Sequence, residues 1–164
     1  MSRWITVLLA VVVFAPLSAQ SDPFARLQFL VGEWVAVETP AGESGSFTFK
    51  PDVQGHVMVR TNEANYGATA DRAASRHEDL LVIYSENGAL KADYFDSEGH
   101  VIRYAVTADS DHATLLSAPD PRQPRYRLSY RRDPSGLLLG SFEVAAPGSL
   151  DAFKPYLTWK AKRK

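Results

Sequence analysis

The sequence contains no cysteine. That excludes a disulfide framework, a thiol nucleophile and a lipid-modified cysteine, so the stability of the folded chain has to come from its packed core. Two further signatures are missing. There is no Gly-x-Ser-x-Gly elbow to expose a nucleophilic serine and no glycine-rich loop to cradle a phosphate. Excess charge is lacking as well, with 18 basic against 19 acidic residues. A protein that holds nucleic acid needs a basic patch, and the single basic cluster here is the tail Lys160, Lys162, Arg163 and Lys164. Nucleic acid is therefore not an expected partner.

Long apolar runs are scarce. The one that stands out, Trp4 to Phe14, follows Arg3 and precedes Ala15-Pro16-Leu17-Ser18-Ala19. A positive start, an apolar stretch and small residues before a cut after Ala19 are the order of a secretory signal peptide. The expectation is a leader at 1–19 and a single mature domain at 20–164, secreted or periplasmic. With Arg3 the leader's only charge, 17 basic residues then remain against 19 acidic ones, a formal charge of −2. The run is too short for a bilayer, which takes ~20 residues. No second run follows, so no transmembrane segment is expected after cleavage.

What is present is alternation. Residues 22–31 read as a short helix, with Asp22 as N-cap, Pro23 at the first helical position and Phe24, Leu27, Phe29 and Leu30 on one side. From Gly32 the period falls to two, and candidate strands follow at 33–38, 45–50, 56–64, 78–85, 89–96, 100–107, 112–117, 125–131, 137–144 and 155–161. Ser85-Glu86-Asn87-Gly88, Asp96-Ser97-Glu98-Gly99 and Asp133-Pro134-Ser135-Gly136 place glycine where a hairpin loop needs positive φ. Successive hairpins give an antiparallel meander. The fold class is thus all-β, an up-and-down barrel of about ten strands with a short N-terminal helix. Alternation is cleanest at 125–131, where Tyr126, Leu128 and Tyr130 share one face, and it fails at 78–85, whose inward face stays open. The stretches 67–76, 119–124 and 145–153 read as loops.

The segment Phe29-Leu30-Val31-Gly32-Glu33-Trp34, a short helix running into Gly-x-Trp at the first strand, resembles the calycin superfamily of lipocalins and fatty-acid-binding proteins. The block His77 to Tyr84 and Tyr94 to Ile102 is similar to secreted bacterial lipocalin-like proteins of unknown function. The resemblance implies a barrel whose narrow end is plugged by Trp34, with a basic residue of the last strand, Lys160, Lys162 or Arg163, packed over the indole. Two departures matter: there is no Thr-Asp-x-x-Tyr motif, and no Arg-x-Tyr on the last strand to grip a carboxylate. Some barrels of this kind resemble haem-binding nitrobindins, whose axial histidine lies near the C-terminus. No histidine follows His112 here, and no cofactor is expected.

Function should then lie in the interior. Met58, Arg60, His77, Asp79, Tyr94, Tyr104, Tyr130 and Glu143 are polar or half-polar residues on strands with apolar same-face neighbours, the pattern of a cavity with a few convergent polar groups. They are the candidate ligand-binding residues for a small, mostly hydrophobic molecule. An inward Arg60 would need Asp79 or Glu143 as partner, or an anionic ligand. Metal ligation by His77-x-Asp79 or Asp96-x-Glu98-x-His100 is weighed against ordinary hydrogen bonding and turn chemistry, and no metal site is assigned. Two alternatives remain. One is an isomerase or hydrolase using His77 oriented by Asp79 as base, although no catalytic residue is assigned. The other is a filled barrel that binds a partner through an apolar patch near 67–76.

Overall fold

The computed structural model describes residues 22–149 and 151–164, so the expected leader and its expected cut after Ala19 lie outside the described residues. Ten antiparallel strands form a closed barrel: β1 (Gly32–Val37), β2 (Ser44–Asp52), β3 (Val57–Tyr66), β4 (Ser75–Glu86), β5 (Ala89–Asp96), β6 (Val101–Ala108), β7 (His112–Ser117), β8 (Arg125–Arg132), β9 (Leu138–Ala145) and β10 (Lys154–Arg163). Each strand pairs with its neighbours in sequence, and β1 closes the ring on β10 with Trp34 opposite Arg163 and Ala36 opposite Ala161. Closure leaves no free sheet edge. Every expected strand is present. The largest shift is at β4, which starts at Ser75 because Tyr66 pairs with Ser75 and Arg76 bridges Glu63 and Glu78.

The tight connections follow from local chemistry. Asn87 at φ 52° and Gly88 at φ 79° form the turn between β4 and β5, both in the left-handed region that a two-residue hairpin demands. The meander then puts the loops 38–43, 67–74, 97–100 and 118–124, and the connection from β9 to β10, at one end, the mouth. The links 53–56, 87–88, 109–111 and 133–137 lie at the other end, the base.

The expected entry helix is a 3-10 turn over Ala25–Leu30. Its N-cap is Phe24 and not Asp22; the Asp22 carboxylate accepts from the Phe24 amide at 2.8 Å and so closes the turn one step earlier. Leu27, Phe29 and Leu30 bury themselves under the barrel. Trp34 sits above them at 1% exposure, and its indole N–H donates to the Leu30 carbonyl at 2.7 Å. Of the three basic candidates, Arg163 covers the indole: its guanidinium lies 4.8 Å from the ring centroid and donates to the Val31 carbonyl at 2.7 Å. Gly32, at φ +136°, holds a backbone conformation that other residues rarely adopt, and a Cβ on it would displace the Arg163 guanidinium from its place over Trp34.

Inward residues divide the barrel into two halves. Toward the base they are large and apolar, Phe49, Met58, Leu81, Ile83, Leu115 and Leu138, all essentially fully buried. Toward the mouth Ala36, Gly45 and Ala64 are small, and the space above the packed half is open.

Candidate functional site

The upper half encloses a cavity of about 1110 Å³. The volume lies just above the usual range of small-molecule sites, ~300–1,000 Å³. Its walls are largely aromatic and aliphatic: Phe47, Ile102, Tyr126, Leu128, Phe142 and Trp159 all line it. Tyr126 and Phe142 stack on adjacent strands, ring planes 8° apart and centroids 5.8 Å apart. The Trp159 ring lies over Gly140, where any side chain would strike the indole. An absent side chain on β9 therefore lets β10 put a flat aromatic surface into the wall.

Polar groups collect where the cavity meets the packed lower half. Alternation on β3 turns Met58, Arg60 and Asn62 inward, and on β4 it turns His77, Asp79, Leu81 and Ile83 inward. The ambiguous strand is thus resolved, with Leu80 left outside at 38% exposure. Arg60 Nη2 donates to Asp79 Oδ2 at 2.8 Å, and Nη1 donates to the Tyr130 hydroxyl. The guanidinium also faces the Phe47 and Tyr130 rings, at 5.8 and 5.9 Å from their centroids. Asn62 donates to the same Asp79 oxygen at 2.9 Å. Burial opposes the charge on Arg60, but Tyr130 and Asp79 outweigh it and the guanidinium is held even more firmly protonated than usual. Desolvation pushes the Tyr130 phenol up to about 12 and raises Tyr94 and Tyr104 further, so all three stay neutral hydroxyls.

His77 stands one strand position nearer the mouth. Its Nδ1 is 2.8 Å from Glu98 Oε2, and its Nε2 is 3.3 Å from both Asp79 Oδ2 and the Tyr94 hydroxyl. Beside it, the β5–β6 turn is organised by Asp96, which accepts from the His100 amide at 2.8 Å and meets the His100 ring at 2.9 Å. Although burial works against it, these hydrogen bonds keep the Asp96 carboxyl below its ordinary range. Asp96, Glu98 and His100 are close enough to share a cation. Two of the three are exposed and Asp96 is occupied by the turn, so the arrangement is that of turn chemistry.

Of the eight candidate residues, Arg60, His77, Asp79, Tyr94 and Tyr104 line the cavity. Tyr130 lies just beneath it, reaching Arg60 through its hydroxyl, and Met58 is packed in the lower core at 1% exposure. Glu143 is not brought to this group. It faces outward, where Arg127 grips both its oxygens at 2.6 and 2.9 Å and holds its carboxyl below the usual range. Its inward neighbours on β9 are Phe142 and Val144. Asn62 and Trp159 were not among the candidates. Asn62 was legible in principle, two residues from Arg60 on the same face, whereas the Trp159 position depends on the bare Gly140 beside it. The upper interior is open rather than filled, and an exposed apolar group on the outer wall is formed by Leu80, Phe95 and Val101 on adjoining strands. No family model and no curated protein matches the chain.

Proposed function

We propose that the chain is an exported, calycin-like barrel that carries a small, mostly hydrophobic molecule in its upper cavity and acts as a binder. The observation that supports this reading is the cavity itself: a large aromatic and aliphatic space over a polar floor, in a barrel whose other half is solidly packed. The His77–Asp79 enzyme reading has less support. A general base needs a nitrogen lone pair aimed at substrate, and both His77 nitrogens are engaged, one by Glu98 and the other by Asp79 and Tyr94. The calycin-like character rests on the Gly32-x-Trp34 plug under Arg163 in a closed ten-strand barrel. Export rests on the leader at 1–19 and is tested by N-terminal sequencing of the protein from its host, which should begin at Gln20.

Binding is tested by titrating the purified mature protein with N-phenyl-1-naphthylamine, whose fluorescence rises in an apolar site. The wild type should bind it saturably. Ala64→Trp, which fills the upper cavity from β3, should weaken binding by about tenfold or more without altering the far-ultraviolet circular dichroism. Equal binding by that variant would move the probe to the outer surface and sink the reading.

A further inference from the structure

Every arginine and lysine that lines the cavity already has a carboxylate. Arg60 holds Asp79 at 2.8 Å, with the two side chains only 6% and 3% exposed. At the mouth Arg72 pairs with Glu43, Arg76 with Glu63 and Glu78, and Lys160 with Glu38. The two histidines on the lining follow the same rule, His77 with Glu98 and His100 with Asp96. The floor therefore carries one positive and one negative charge in contact, and among the described residues no lining cation is left without a carboxylate for an anionic head. A carboxylate lowered onto it would be desolvated beside Asp79 with no counter-charge of its own.

The floor is, however, short of hydrogen bonds. Arg60 Nε and Asp79 Oδ1 are buried with no hydrogen-bond partner among the described residues, one a donor and the other an acceptor. Orphaned groups of this kind are rare in folded proteins and point to something that completes them. Tyr94, whose hydroxyl meets His77, and Tyr104 line the same cavity, and a phenol hydroxyl can both give and accept. A head that only accepts, such as a carboxylate or phosphate, leaves Asp79 unmet. A head that only donates, such as an ammonium, leaves Arg60 unmet.

We infer that the molecule held in this cavity carries an uncharged head that both donates and accepts a hydrogen bond, a hydroxyl, phenol or primary amide, on an apolar or aromatic body. The inference rests on the cavity-binding reading and specifies its ligand class. Arg60 serves here as half of a neutral pair rather than as an anion receptor.

The experiment is a matched series, decanol, decanamide, decanoate and decylamine, each competing against N-phenyl-1-naphthylamine at pH 7.5. Decanol and decanamide should displace the probe at concentrations at least about tenfold below decanoate and decylamine, the penalty for burying an uncompensated charge. Decanoate or decylamine binding as tightly as the neutral pair overturns the inference and leaves the cavity reading intact. Probe binding that none of the four competes with does the same. Failure of the probe itself to bind overturns both. Asp79→Asn supplies an independent arm, because it frees the Arg60 charge. In that variant decanoate should become the preferred competitor and should raise the melting temperature, which it should not do for the wild type. A folded Asp79→Asn protein that still rejects decanoate refutes the neutral-pair account. Should the variant not fold, the wild-type series decides.

Discussion

Arg60 and Asp79 show how much a single buried pair can determine. The two charges lie side by side on the cavity floor, and each has a further partner, Tyr130 for Arg60 and Asn62 for Asp79. Removing one member strands the other, so Arg60→Met should destabilise the barrel by about 3–5 kcal/mol in urea unfolding. Replacing both, Arg60→Met with Asp79→Leu, should recover most of that loss and give a large coupling energy in the double-mutant cycle. Additive losses would mean that the pair is not coupled. Gly32 is the other position where one residue decides the geometry. Gly32→Ala combines an unfavourable φ of +136° with a clash against Arg163 and should cost about 1–3 kcal/mol or more, read as a fall in melting temperature.

Among the elements, the 3-10 turn and the strands have separate duties. The turn carries no polar side chain to the cavity; it supplies Leu27, Phe29 and Leu30 to the base and a carbonyl to Trp34. Leu27→Ala should therefore cost about 2–5 kcal/mol of stability. Measured on the folded fraction, its affinity for N-phenyl-1-naphthylamine should match the wild type. A loss of affinity would show that base and cavity are mechanically linked. The strands were readable wherever one face is wet, as in β8, whose arginines face out and whose tyrosines face in. In β4 the run Leu80-Leu81-Val82-Ile83 is apolar on both faces, so alternation could not say which side was inner. Only pairing with β3 and β5 does so. The entry helix was visible by composition, but six residues offer too few i to i+4 bonds to prefer an α turn over a 3-10 one.

For the whole molecule, acid stability follows from carboxylates that folding makes stronger acids. Glu143, gripped by Arg127, and Asp96, ringed by hydrogen bonds from His100 and Glu98, both titrate below their ordinary values. A carboxyl with a depressed folded pKa contributes stability that is fully present above its unfolded value, near pH 4, and is lost as pH falls through the folded one. Glu143→Gln should therefore lower stability at pH 7, and the difference should vanish as the pH falls toward about 2–3. A gap between variant and wild type that persists at the acid end would show that Glu143 contributes through packing and not through its charge.

Sequence alone determined the barrel. Strand order and the hairpin turns come from interactions between residues close in the chain or from a period of two, and both can be read without coordinates; the plug at Trp34 was implied by the resemblance of Gly32-x-Trp34, and the inner face of β4, with His77 and Asp79, stayed open. Tertiary structure decided what those residues do. That Arg60 finds Asp79 and Tyr130 rather than Glu143 depends on contacts spanning 19 and 70 residues. That the upper half is hollow depends on the small Ala36, Gly45 and Ala64 meeting on the adjacent strands β1, β2 and β3. Alternation fixes the face a residue occupies. Its height in the barrel, and hence its neighbours across the interior, is set by strand register and stagger, which no local pattern records.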